Sequence, residues 1–238
     1  MILLETVQIS NILVNIALDS GEIRQLKGLI GQLQWVAKLS RPDIAFEVCQ
    51  LSTKVKTATT KELKRANKLV LKLQNEPSSV KIPCIGPITE SKLFVYSDAS
   101  FANLPGASQG GFVIFLVGHN GLASPLVWTS HKLKRVVKSP KAAETLAMQS
   151  AAEHAFLLKS FLLEIHGLEK ESIPIICIVV NESLHLSVHS TNMIEDRRLY
   201  VDICSLREML TSGEISEVRL TDSANQLADC LTKSTASS

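Results

Sequence analysis

The stretch Lys92-Leu93-Phe94-Val95-Tyr96-Ser97-Asp98-Ala99-Ser100, followed by Gly110-Gly111-Phe112-Val113-Ile114-Phe115-Leu116, decides how this chain is read. Both apolar runs are β-branched and aromatic, so each predicts a strand, and Ser97-Asp98-Ala99-Ser100 breaks the alternation between them. Two adjacent strands therefore flank one acid. An aspartate at the edge of an apolar core is costly unless it is paired or holds a metal, which makes Asp98 a candidate site residue. The competing reading is a turn cap, with the carboxylate accepting from Ser100 or the next amides.

Downstream, Leu126-Val127-Trp128-Thr129-Ser130 predicts a third strand, and Lys132, Lys134, Arg135 and Lys138 make the following connection basic. Ser139-Pro140 starts a long helix with a stripe of Ala143, Leu146, Ala147, Ala151, Leu158 and Leu162. Glu144 lies in its first turns, where a carboxylate also suits the helix dipole. Ile173 to Val180 predicts a strand buried on both faces, Glu182 to His189 a short helix or loop, and Glu195 to Ser212 a helix. Asp202 in that helix is expected to pair with Arg197 or Arg198. Ile215 to Leu220 is the last predicted strand, Thr221-Asp222-Ser223 suits a helix cap, and Ser223 to Lys233 a final helix carrying Asp229.

Upstream, Gly21 to Gln74 has helical periodicity in three pieces. The third opens at Thr60 and carries Lys61, Lys64, Arg65, Lys68 and Lys72, a basic side that reads either as a solvated face or as a phosphate contact. Pro77, Pro83, Gly86 and Pro87 mark the boundary between these helices and the strands. The expected organisation is a mainly helical segment over 1–75, a linker over 76–90 and an α/β domain over 91–238.

The chain has 238 residues and 45% hydrophobic residues, enough for real cores. A net charge of +2 announces no nucleic-acid partner, so any such contact falls to local basic patches. Its five cysteines are odd in number and widely spaced, with no close pair of the zinc-ligand kind, and read as reduced core thiols. Met1 to Ala17 is apolar but carries Glu5 and Asn11 and lacks a basic start, so the expectation is an intracellular protein with no membrane segment.

Several of these stretches carry a resemblance. Leu29-Ile30-Gly31-Gln32-Leu33-Gln34-Trp35 with Arg41-Pro42-Asp43-Ile44, then Tyr96-Ser97-Asp98-Ala99, Trp128-Thr129-Ser130-His131-Lys132, Ala143-Glu144 and Asn225-Gln226-Leu227-Ala228-Asp229-Cys230-Leu231-Thr232-Lys233 resemble the carboxyl-terminal part of the Pol polyprotein of copia-type LTR retrotransposons. The resemblance covers the reverse transcriptase thumb or connection segment and the ribonuclease H domain. It implies a ribonuclease H-like mixed five-stranded sheet with flanking helices, preceded by a small mainly helical segment. It also implies hydrolysis of the RNA strand of an RNA–DNA hybrid by two Mg2+ or Mn2+ ions, with the reverse transcriptase portion of the same polyprotein as partner. Its setting would be the cytoplasm, in virus-like particles.

Two-ion hydrolysis needs carboxylates that fix both cations about the scissile phosphate. The resemblance puts these catalytic and metal-binding acids at Asp98, Glu144, Asp229 and a fourth position at the end of the fourth strand. There the family has an aspartate and this chain has Val180, in Val180-Asn181-Glu182-Ser183. Loss of one ligand weakens ion binding and misplaces the water, so impaired nuclease activity is expected. If the strand runs on to Glu182, that side chain shares the face of Val180 and could act as a surrogate. Lys132, Lys134, Arg135 and Lys138 are the candidate nucleic-acid contacts. With no Tyr-x-Asp-Asp hairpin, this chain is not expected to polymerise on its own. The alternatives to a nuclease are a non-catalytic nucleic-acid-binding module and an inactive relic of a Pol polyprotein.

Overall fold

The structure, a computed structural model, describes residues 6–7, 15–77, 80–104, 106–169 and 173–233. The described chain divides into two compact units, one ending at Val80 and the other spanning Lys81–Lys233. Most of the apolar start, 1–17, lies outside the described residues.

The first unit is helical. Helix α1 (Ser20–Leu39) begins in a capping box, the Asp19 carboxylate accepting from the Glu22 amide while Glu22 accepts from the Asp19 amide. A second capping box, Thr59 with Glu62, starts α3 (Thr60–Asn75), and α2 (Ala45–Lys54) lies between them in sequence. Leu26, Leu29, Ile30 and Leu33 of α1 share one core with Val48 and Leu51 of α2 and Leu63, Ala66, Leu69 and Val70 of α3. The Arg-Pro-Asp stretch ties this core together. Arg41, 5% exposed, makes a two-pronged bond to Asp43 at 2.8 and 2.9 Å and donates to the Glu76 carbonyl at the end of α3. Part of the basic side of α3 is also structural, since Lys72 pairs with Asp43 at 3.1 Å.

The second unit is built on a five-stranded sheet of order β3-β2-β1-β4-β5. Strand β1 (Lys92–Leu104) pairs antiparallel with β2 (Ala107–Val117), and β2 antiparallel with β3 (Ala123–Lys132). On the other side of β1, β4 (Ile175–Val179) and then β5 (Glu217–Leu220) run parallel to it. Helix α4 (Pro140–His166) covers one face with small residues. Ala143, Ala147, Ala151, Ala152 and Ala155 are fully buried, which lets Met148 and the helix backbone approach Leu93, Val95, Phe112 and Ile114 closely. Helices α5 (Glu182–His189) and α6 (Arg197–Thr211) complete the unit, with Leu184, Val188, Leu199, Ile203 and Leu206 in the same core. This is the mixed sheet with flanking helices expected of a ribonuclease H-like fold.

Four sequence expectations are corrected. Strand β1 continues through Ser97-Asp98-Ala99-Ser100 without a turn, because each of these residues finds a partner on β2, Asp98 opposite Gly111. Residues 223–233 form two short 3-10 turns, Ser223–Asn225 and Asp229–Leu231, rather than a helix. The Gln226 side chain accepts from the Ala228 amide in extended backbone between them, and such local bonds compete with helix formation. Asp222 precedes the first turn but makes no side-chain cap bond. Among the cysteines only Cys177 is buried, its thiol pushed up to about 12 by burial, while Cys84 is exposed.

Phe112 is fully buried between the sheet and α4. Phe112→Ala is expected to cost about 3–5 kcal/mol, measured by denaturant unfolding.

Candidate active site

Asp98 lies in the middle of β1, on the side of Phe94 and Tyr96 and away from the core that α4 covers. It is 4% exposed. The Thr232 hydroxyl, 134 residues later, donates to its carboxylate. Burial raises the Asp98 carboxyl above its ordinary range, with the nearby Asp229 charge adding to the rise and Thr232 and Lys233 opposing it.

Glu144 sits in the first turns of α4, placed there by Ser139, whose side chain accepts from the Ala142 amide and starts the helix, and by Pro140 at its first position. Its carboxyl is also raised, chiefly by burial and further by Asp98, while the Asn181 side chain donates to it. Asp229 opens the last 3-10 turn and accepts from the Lys233 ammonium at 2.5 Å. Burial lowers the Lys233 ammonium, but the bond to Asp229 and the charges of Asp98 and Glu144 outweigh it and leave it raised. The structure thus gathers Asp98, Glu144 and Asp229 into one electrostatic cluster. Each of the three carboxylates has a protein donor: Thr232, Asn181 and Lys233 respectively.

The fourth position is apolar. Tyr96 lies opposite Ile178 in the parallel β1–β4 ladder, so carrying that register two residues further sets residue 180 in line with Asp98. Val180 stands there, half-buried, just past the last residue of β4. The surrogate role of Glu182 required the strand to continue, and it does not. Asn181 caps α5, its side chain accepting from the Leu184 amide at 2.9 Å, so Glu182 becomes the exposed first residue of that helix. Among the described residues no three His, Cys, Asp or Glu side chains come together as a metal-ligand group. With Val180 where the resemblance expects a further acid and the Lys233 ammonium bonded to Asp229, the residues present do not fit a two-ion centre.

The predicted basic contacts divide. Lys132, Lys134 and Lys138 are exposed, but Arg135 is committed to Asp202. That pairing replaces the expected one with Arg197 or Arg198, because Asp202 lies on the buried side of α6 facing the β3–α4 connection, with its side chain 10% exposed. Sequence reading assigned no role to Thr232, Asn181 or Lys233 in the acid cluster. The only signal for Thr232 and Lys233 was their place in the terminal motif.

The sheet order, strand directions and helix placement are those of a ribonuclease H-like fold. In sequence the chain is similar to retrotransposon Pol polyproteins. It is 27% identical to the Retrovirus-related Pol polyprotein from transposon RE1 of Arabidopsis thaliana over 211 residues, 88% of this chain and 14% of that protein. The corresponding protein from transposon RE2 of the same plant is 26% identical over the same shares. A putative transposon Ty5-1 protein of Saccharomyces cerevisiae is 32% identical over 124 residues, 50% of this chain and 37% of that protein. The chain therefore spans only a small part of the length of the curated relatives it matches. No protein-family model matches it. Among solved structures, ribonuclease H1 of Halobacterium salinarum is 20% identical with a TM-score of 0.42 over 59% of this chain and 93% of that one. LC11-RNase H1 in complex with RNA/DNA hybrid is 17% identical with a TM-score of 0.45 over 59% and 93%. Among the described residues no helix is long and apolar enough to cross a membrane.

Because burial raises the Asp98 carboxyl, the folded state holds its proton more readily than the unfolded chain, and stability is lost as pH rises through the folded value. Asp98→Asn, which cannot ionise, is expected to melt at a higher temperature than the unaltered chain at pH 7. Thermal melts across pH should show that gap closing as pH falls into the ordinary carboxylate range.

Proposed function

We propose that this chain is a ribonuclease H-like domain of copia-type retrotransposon origin, descended from an enzyme that hydrolysed the RNA strand of RNA–DNA hybrids and silenced as a hydrolase by Val180. What supports the reading is the register of β1 and β4, Tyr96 opposite Ile178, which carried two residues further brings Val180 in line with Asp98, where the resembling family has its fourth carboxylate. Phosphodiester hydrolysis develops negative charge on the phosphoryl oxygens, and the acids that would fix cations there must act together. Three acids, each already hydrogen-bonded within the protein, lack that arrangement. Asp98, Glu144 and Asp229 are on this reading the retained catalytic acids. The reverse transcriptase portion of the same polyprotein is the proposed partner, and the cytoplasm, in virus-like particles, the proposed setting.

The test is cleavage of a labelled RNA–DNA hybrid in Mg2+ or Mn2+. The unaltered chain is expected to leave the hybrid intact and Val180→Asp to cut it. The Val180→Asp/Asp98→Asn double variant is expected to lose that activity by about 100-fold or more. Cleavage by the unaltered chain that survives Asp98→Asn would place the chemistry elsewhere.

A second reading, a binding module without catalysis, is favoured by three exposed lysines, Lys132 at the end of β3 and Lys134 and Lys138 in the connection after it. Binding through phosphates depends on salt through counterion release. For hybrid binding measured between low and moderate salt, Lys132→Ala, Lys134→Ala and Lys138→Ala are each expected to reduce the log–log salt slope by about 1. Arg135→Ala is expected to change the slope less and to destabilise the fold, since it leaves the Asp202 carboxylate buried without its partner.

A further inference from the structure

The terminal stretch 223–233 has little regular structure, yet Gln226, Ala228, Leu231 and Thr232 within it are buried. Backbone that is neither helix nor strand needs other partners to hold one conformation. Two side chains supply them. Gln226 donates from Nε2 to the carbonyl of Ser97, the residue before Asp98, at 3.0 Å. Ser130, on β3, donates from Oγ to the carbonyl of Leu231 at 2.6 Å, and its hydroxyl oxygen accepts from Gln109 Nε2 at 2.7 Å, which orients it.

Between these two bonds the stretch lies directly on the sheet at Gly111, the residue opposite Asp98. A Cβ on Gly111 would sit 2.7 Å from Leu231 Cβ, closer than such atoms approach, and 3.0 Å from Thr232 Cγ2, a tight contact. The residues on either side of the Leu231 anchor are the ones that matter to the site: Asp229 two before it, Thr232 one after.

We propose that residues 226–232 are a strap fastened to the sheet by Gln226 and Ser130, and that these two are positioning residues setting Asp229 and Thr232 against Asp98. The proposal rests on the reading of the acid cluster as a nuclease-derived site. It assigns a role to Ser130 of the Trp-Thr-Ser-His-Lys stretch and to Gln226 of the terminal motif. Neither residue carries an acid, and both act through the placement of others. Gly111 is the clearance that lets the strap close.

Amide hydrogen exchange on the full chain tests the strap without requiring activity. In Gln226→Ala and Ser130→Ala, amides of 227–233 are expected to exchange about 10-fold faster while the β1–β2 amides stay unchanged. Ser130→Thr, which keeps the hydroxyl, should restore protection, and Gly111→Ala should reproduce the loss. In the Val180→Asp background, Gln226→Ala and Ser130→Ala are expected to lower kcat about 10-fold with KM unchanged, and Ser130→Thr to recover it. Unchanged exchange in 227–233 overturns the proposal, as does faster exchange with unaltered kcat. If Val180→Asp itself does not cleave, it is the nuclease reading that fails. Faster local exchange in the variants then still upholds the strap, and unchanged exchange still overturns it.

Discussion

A carboxylate held almost out of water in the middle of a sheet is the constraint on which the rest of the second unit depends. Asp98 pairs with Gly111 of β2 on one side, and on the other lies two residues past the point where β1 last pairs with β4. A buried charge without partners is costly, and the donor that answers this one comes from the far end of the chain. The fold therefore closes only when its last segment returns to its first strand. Gly111, with no side chain opposite Asp98, makes the room for that return.

The same constraint shapes the chemistry. Asp98, Glu144 and Asp229 come from a strand, a helix and a terminal turn; the Asp229 charge adds to the rise that burial gives Asp98, and the Asp98 charge to the rise that burial gives Glu144. Lys233 enters that field from the terminal turn, bonded to Asp229. On the proposed reading Val180 removes one acid from the set, which lowers the mutual repulsion and with it the demand for cations. A site of this kind can keep its shape on internal donors alone.

How much was legible beforehand depended on whether a residue's role was local. The strands, the long helix after Ser139-Pro140 and the opening of α3 at Thr60 follow from periodicity and local start signals within a few residues, and they appear in the structure at nearly the expected places. The terminal stretch misled because Gln226 and Leu231 bond to β1 and β3, and no window along the chain contains those partners. Asp202 misled for the same reason. Arginines one turn earlier in its helix were the obvious partners, yet its buried side faces Arg135 on a different element. Glu182 turned on a single boundary, the point where the Asn181 cap converts strand into helix.

The sequence by itself determined the order of the strands and of the longer helices, because these are a matter of residue type and spacing; Asp98, Glu144 and Asp229 as candidates, and Val180 where a further acid was expected, came from the resemblance its motifs carry. Only the tertiary structure decided which groups stand around those acids. Thr232 and Asn181 lie far from Asp98 and Glu144 along the chain, and their bonds to those acids exist only once the sheet, α4 and the terminal turns have packed, which also brings the Lys233 ammonium into the field of both.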